Sequence, residues 1–231
     1  GTLNPTHHKP IGVMDMGGAS VQIVFPVQDK QINNKNQMNI NLYGQDITLS
    51  VHSFLGLGQT EVAHQFLNSK SCFPNGFPLP NSELGEGDAV ECQQKISALM
   101  NAVHGVNRSI QPLLTANPVD SWYAIGGISN MADNKPLHFE NNQLTLNGLL
   151  TQTNNAVCHQ QWDTLNAQYP NDDYIYGYCL FAAYYYALIV DGYGLYPEQL
   201  INYIPPKQNL DWTTGVVLAH NSSKAKSPLV K

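Results

Sequence analysis

The sequence predicts an α/β domain in which a mixed sheet is covered by helices. Three observations carry that expectation. Two short apolar runs, Ile11–Met14 and Val21–Val27, flank a Gly pair and read as a β-hairpin. A second alternating stretch, Met38–Ser50, holds the turn signal Tyr43-Gly44-Gln45-Asp46 and adds another hairpin. Helical periodicity then takes over, with a later buried strand at Ser121–Ile125, so hairpins, helices and a returning strand share one core.

In chain order, residues 1–10 read as a polar linker and 11–208 as the folded body. Gln28–Asn36 is a polar turn. His52-Ser53-Phe54-Leu55-Gly56-Leu57-Gly58 leads into a helix expected over Thr60–Leu67. Ser71–Gly87 is rich in Pro, Gly and Asn and reads as a loop. Ala89–Leu114 is expected as one long helix, because Ile96, Leu99, Met100, Val103, Val106, Ile110 and Leu113 step by threes and fours. Pro112 should disturb its last turn. Gly126-Gly127 opens a loop expected to run through Asn130 to Asn142. Helices are expected over Leu146–Leu165, Tyr174–Val190 and Pro197–Ile201. Asp211-Trp212-Thr213-Thr214-Gly215 turns into a last apolar segment, Val216–Ala219. Residues 222–231 form a basic tail, either disordered or an artificial extension.

The chain has 231 residues, 42% of them apolar, which is enough for a sizeable core. Charged residues make up only 12%, and the formal charge is −6. That composition carries no basic footprint for nucleic acid and is commoner outside the cytosol. No apolar run approaches the roughly 18 residues of a membrane span. No secretory signal opens the sequence, which reads as beginning inside a longer protein. Cys72, Cys92, Cys158 and Cys179 are even in number and suit two disulfides in an oxidising compartment. Three pairings are open. Nearest neighbours, Cys72–Cys92 and Cys158–Cys179, are the expected ones, against four buried thiols. The eight histidines show no paired metal spacing, and His52 reads as structural.

The stretch Asp15-Met16-Gly17-Gly18-Ala19-Ser20-Val21-Gln22-Ile23 holds the chemistry. A Gly pair lets the backbone turn sharply, take φ > 0 and approach a ligand. Successive amides in such a bend can point at one anion. Asp15 ends the first strand, where its carboxylate can face that anion through a metal or water. Ser20 and Gln22, two apart on a strand, project from one face. The plain alternative is a hairpin with a wet side.

Several blocks, in order, resemble the apyrases, the ecto-nucleoside triphosphate diphosphohydrolases. They are Asp15–Ile23; Leu42-Tyr43-Gly44; His52-Ser53-Phe54-Leu55 with Gly58; Cys72-Phe73-Pro74-Asn75-Gly76-Phe77; and Tyr178-Cys179, Gly192-Tyr193 and Trp212-Thr213-Thr214-Gly215. The composition is most like the secreted bacterial, Legionella-type members. The resemblance implies an RNase H-like lobe of the actin/Hsp70/sugar-kinase superfamily. It implies hydrolysis of nucleoside tri- and diphosphates by direct attack of water, with Mg²⁺ or Ca²⁺ as cofactor. Asp15, Ser20 and Gln22 would be catalytic, and Gly17, Gly18 and Ala19 would bind the terminal phosphate. Asp15 and Trp212 would hold the metal through waters. Tyr174, Tyr178 and Asn130 would hold the base, Asn130 standing where relatives carry an aromatic. Gln59-Thr60-Glu61 departs from the Arg-Asp pair of many relatives. The family's Asp-x-Gly-Ser/Thr loop and its Glu base have no counterpart here, so an N-terminal lobe is the implied partner. Residues 209–221 would be a return segment packing on that lobe. A non-catalytic nucleotide-binding module and an exopolyphosphatase-like enzyme are the alternatives.

Overall fold

The computed structural model describes residues 10–28, 35–42 and 45–208. The expected linker up to Lys9, the turn pair Tyr43-Gly44, the return segment with Trp212 and the basic tail lie outside the described residues.

Alternation of apolar and polar residues builds the first strands. β1 (Ile11–Met16) and β2 (Ser20–Pro26) pair antiparallel, with Met16 opposite Val21. β3 (Gln37–Leu42) and β4 (Gln45–Leu55) form the second hairpin, Leu42 opposite Gln45, and β4 also pairs with β2. β5 (Ser121–Gly126) returns parallel to β1, with Met16 beside Gly126. Two short strands complete the sheet, β6 (Gln143–Leu144) and β7 (Ile201–Tyr203). Spatial order is β3-β4-β2-β1-β5-β7-β6.

Seven α-helices accompany the sheet among the described residues: α1 (Gln59–Gln65), α2 (Ala89–Leu99), α3 (Val106–Ala116), α4 (Gly127–Asp133), α5 (Leu146–Thr153), α6 (Trp162–Gln168) and α7 (Tyr178–Tyr186). From Tyr178 to Tyr185 every residue of α7 is buried. A helix apolar all round belongs in the middle of a core, and α1, α2 and α5 surround it. Phe25, Met14, Met16, Ile23 and Trp122 supply the sheet side of that core.

Four expectations are corrected. The helix expected over Ala89–Leu114 is two helices, separated by a π-turn, Met100–His104, and by Gly105 at φ 58°. The apolar spacing continues across the break, but glycine alone takes that left-handed conformation cheaply. Pro112 lies inside α3 without ending it. The helix expected over Leu146–Leu165 breaks after a π-turn ending at Cys158, and α6 starts afresh at Trp162. Asn130 sits on α4, not on a loop. That helix is short and starts on Gly without a capping side chain, so no start signal announces it. Finally, Ile201 opens a strand where a short helix was expected, because Trp122 offers it a parallel pairing partner.

The disulfides join Cys72 to Cys92 and Cys158 to Cys179, the nearest-neighbour pairing. Each ties a loop or helix end to a core helix, the first to α2 and the second to α7.

The two faces of the sheet differ. Val21, Ile23 and Phe25 point into the core, while Ser20, Gln22, Val24 and Pro26 alternate outward. On that outer face Ile11 is 50% exposed, Val13 37% and Leu55 78%. Central strands with parallel neighbours are normally covered on both faces. Here the outer face is apolar along its middle and polar near the carboxyl end of β1.

Candidate active site

Two Gly-pair bends meet at the carboxyl ends of β1 and β5. The first is Gly17-Gly18. Neither glycine has φ > 0, contrary to expectation. Close packing demands the first and constrains the second. A Cβ on Gly17 would lie 2.8 Å from the Ser20 carbonyl oxygen, and one on Gly18 would lie 3.1 Å from Thr60 Oγ1. The Gln59 N–H donates to Gly17 O at 2.9 Å and the Thr60 N–H to Gly18 O at 2.9 Å, so the bend's carbonyls cap the start of α1. In a planar trans peptide the next N–H points opposite to the carbonyl. The amides of Gly18 and Ala19 therefore turn away from α1. Neither donates in any loop or turn hydrogen bond among the described residues.

The second bend, Gly126-Gly127, does need glycine conformationally: Gly126 has φ 82°. A Cβ there would crowd Met16 O at 2.5 Å and Asp15 Oδ1 at 3.2 Å. One on Gly127 would overlap Gln59 Oε1 and the Tyr185 hydroxyl.

Beside these bends opens a cavity of about 610 Å³, within the usual range for small-molecule sites. Gly17, Gly18, Gly126 and Gly127 line it at one end, and Asn130, Tyr174, Tyr178 and Phe181 line it further along. Tyr185, whose hydroxyl reaches Gln59 beside Gly127, lies seven residues after Tyr178 on α7. At the helical rise that separates the two parts by roughly 10 Å.

Tyr174 and Tyr178 do not share a helix face. A 3-10 turn, Ile175–Gly177, lies between them, and α7 begins at Tyr178. Tyr174 is 63% exposed, whereas Tyr178 is 2% exposed. The Tyr178 hydroxyl donates to Asp172 Oδ2 at 2.7 Å, and the Tyr174 N–H donates to Asp172 Oδ1 at 3.0 Å. Burial, then the bond to Asp172, pushes the Tyr178 hydroxyl above its usual pKa. Tyr178 thus anchors the turn that carries Tyr174, and the freer aromatic surface belongs to Tyr174.

The polar trio lies across the first bend, on the outer sheet face, and does not line the cavity. Register places Asp15, Gln22 and Ser53 in one row across three strands. Gln22 Nε2 donates to Ser20 Oγ at 2.7 Å and to Ser53 Oγ at 3.1 Å. Both amide hydrogens are then engaged, which leaves Gln22 Oε1 as a fixed acceptor. Asp15 has no ion pair and accepts no side-chain hydrogen bond among the described residues. Burial raises its pKa above the usual carboxylate value. A half-buried carboxylate without a partner suits a cation. No group of three His, Cys, Asp or Glu gathers at Asp15 or elsewhere among the described residues.

Sequence reasoning missed Ser53, Phe181 and Lys207, the last two of which line the cavity together with Gln59, noted in the sequence only as a departure from the Arg-Asp pair. Ser53 follows from pairing it with Gln22, but only once the strand register is known. His52 is buried with Nε2 3.1 Å from Ser50 Oγ.

The chain matches the GDA1/CD39 (nucleoside phosphatase) family over residues 1–76 and 81–230. It is 26% identical to human ectonucleoside triphosphate diphosphohydrolase 3, over 99% of this chain and 52% of that protein. It is 25% identical to the chicken (Gallus gallus) ectonucleoside triphosphate diphosphohydrolase 8, over 93% and 51%. The chain thus spans about half the length of the curated relatives it matches. A Ppx/GppA family member from Aquifex aeolicus superposes with TM-score 0.55 at 12% identity, over 96% of this chain and 60% of that one. A nucleoside triphosphate hydrolase from Neospora caninum superposes with TM-score 0.54 at 16% identity, over 94% and 57%. Those likenesses show the fold, that of the actin/Hsp70/sugar-kinase superfamily. The family match runs through both Gly-pair bends and all four disulfide cysteines, and the chain belongs to the GDA1/CD39 (nucleoside phosphatase) family.

Proposed function

We propose that this chain is the C-terminal lobe of a nucleoside triphosphate diphosphohydrolase, which cleaves nucleoside tri- and diphosphates stepwise to the monophosphate. One observation carries the reading: amides freed by the capped Gly17-Gly18 bend sit between a 610 Å³ cavity and the Asp15/Ser20/Gln22 row. The amides of Gly18 and Ala19, with Gly17 giving close approach, hold the terminal phosphate. Gln22 Oε1, locked by its two hydroxyl partners, accepts a hydrogen from the attacking water, and the Ser20 hydroxyl steadies the same water. Tyr174 and Asn130 bound the base, with Asn130 a thinner wall than an aromatic and Tyr178 backing the site as the anchor of the Tyr174 turn.

Asp15, and Trp212 beyond the described residues, would hold Mg²⁺ or Ca²⁺ through waters, and the ion would shield phosphate charge. The base that takes the water's proton comes from an N-terminal lobe. Support for that partner is the half-length match and the outer sheet face, whose exposed Ile11 and Val13 lie beside the catalytic row. This chain alone is inactive. Two disulfides and ecto-enzyme relatives support a secreted protein, and the low share of charged residues is the support for the Legionella-type group. Among the described residues no helix is long and apolar enough to cross a membrane.

The Ppx/GppA likeness favours a second reading, an exopolyphosphatase-like phosphohydrolase. Phosphate release from ATP, ADP and polyphosphate by the two-lobe protein separates them. Ser20→Ala and Gln22→Ala should each lower kcat more than they raise KM. Full turnover in both variants would remove these residues from the mechanism.

A further inference from the structure

A second cavity, of about 490 Å³, lies at the other end of β5 from the Gly126-Gly127 bend and shares no lining residue with the first. Trp122, which lines it, stands four residues before Gly126, roughly 13 Å along the strand. Its walls come from α3, from β5 and from residues 193–199, and none of the residues lining it carries a charge. Trp122 and Tyr193 are buried and close its inner side, whereas Tyr196 is 80% exposed at its rim. The polar groups there are held in place. Gln111 Nε2 donates to Asp191 O at 3.1 Å and to Gly192 O at 3.3 Å. A backbone carbonyl oxygen can only accept, so the carboxamide has one orientation. Gln111 Oε1 is left as an acceptor, with no donor to it among the described residues. Gly194, at φ 84°, makes room for that side chain, since a Cβ there would lie 2.9 Å from Gln111 Cγ. The Thr115 hydroxyl donates to the Gln111 backbone carbonyl at 2.9 Å, which leaves its oxygen as a second acceptor.

We propose that this cavity is a binding site for a neutral saccharide, with one sugar ring lying on Tyr196 and its hydroxyls donating to Gln111 Oε1 and Thr115 Oγ1. The volume suits a small ligand. A charged ligand would lose its hydration and find no counter-charge in an uncharged lining. A purely apolar ligand would bury the two acceptor oxygens without partners. A sugar ring meets both demands. Its C–H face packs on an aromatic side chain, and its hydroxyls supply donors where the protein offers acceptors. The site is independent of the nucleotide reading, because it stands at the opposite end of β5 from the Gly-pair bends.

The experiment is saturation-transfer NMR on the two-lobe protein, titrated separately with maltose, cellobiose, N,N′-diacetylchitobiose and indole. At least one of the disaccharides should bind, with the strongest transfer to the C–H protons of one ring, and a non-hydrolysable ATP analogue should not displace it. Tyr196→Ala should weaken that binding about tenfold, the worth of an aromatic contact, while Tyr196→Phe keeps the ring and should bind like the wild type. Tyr196 is largely exposed, so both variants should fold, and both should release phosphate from ATP at the wild-type rate. Failure of all three disaccharides to bind overturns the proposal, and indole binding without them marks the cavity as an apolar slot instead. Wild-type affinity in Tyr196→Ala, or displacement of the sugar by the ATP analogue, also overturns it. A loss of ATP hydrolysis by the wild type would strike the hydrolase reading and leave the sugar titrations to decide this site.

Discussion

Gly58→Ala tests whether the first bend is held in place by the start of α1. Gly58 has ordinary extended backbone, φ −69° and ψ 158°, so alanine is conformationally acceptable there. Its Cβ, however, would fall inside the contact distance of the Gly18 carbonyl and of the Ala19 carbonyl carbon. Restoring ordinary contact at 3.4 Å requires the bend and α1 to part by about 1 Å. That parting stretches the 2.9 Å bonds from Gln59 N to Gly17 O and from Thr60 N to Gly18 O. Overpacking of this kind costs about 1–3 kcal/mol of stability. The larger effect should be catalytic. A shift of about 1 Å in groups that position the reacting atoms can cost on the order of 100-fold in rate. The assay is steady-state phosphate release from ATP by the two-lobe protein, with urea denaturation beside it. Expected are a small loss of stability and a drop in kcat of roughly 100-fold, with the protein still folded. A folded variant with kcat within about threefold of wild type would show that the bend does not hold the reacting phosphate.

Three further outcomes follow from the same coordinates. Replacing Cys72 and Cys92 with Ala opens a loop with sequence separation 20 and should cost about 3 kcal/mol on the chain-entropy scale, read as a lower urea midpoint. An unchanged midpoint would mean that the bond adds nothing to folding. Burial lowers the pKa of His52 below the ordinary imidazole value of 6.5. As pH falls below 6.5 the unfolded chain takes a proton that the folded chain refuses, so stability falls until the lowered folded pKa is passed. His52→Gln should flatten that part of a pH-stability curve, and an identical slope in the variant would clear His52. Burial raises the pKa of Asp15 above the ordinary carboxylate value of 3.8. The folded form then keeps its proton to higher pH than the unfolded chain, and stability falls as pH rises through that window. Asp15→Asn should therefore raise stability slightly at pH 7, with the gain gone once both folded and unfolded carboxyls are protonated, and abolish stabilisation by Ca²⁺ or Mg²⁺. A variant still stabilised by the ion would place the metal elsewhere.

The hairpins, the Ser121–Ile125 strand and the Ser71–Gly87 loop are legible because their signals are local. Alternation, Gly pairs and Pro/Asn clusters act over a few residues. The helix breaks at Gly105 and after Cys158 were not legible, since apolar spacing continues through both. α4 and β7 were hidden for a related reason. Each is short, and each is fixed by what it packs or pairs with, α4 on β5 and β7 beside Trp122. The Gly17-Gly18 bend was found for an incomplete reason. Its glycines answer to crowding by Ser20 and Thr60, not to a positive φ.

The amino-acid order alone determined that Asp15, Ser20 and Gln22 flank a Gly pair, because hairpin geometry sends alternate side chains to one face over so short a span. It equally determined the family, through blocks whose residues stand in a set order. Only the tertiary structure decided that Ser53 completes the Gln22 row, that Tyr178 is an anchor rather than an open wall, and that Gln59 meets Tyr185, 126 residues away. Those relations depend on strand register and on where a buried helix comes to rest. Long-range packing sets both, and no local pattern encodes them.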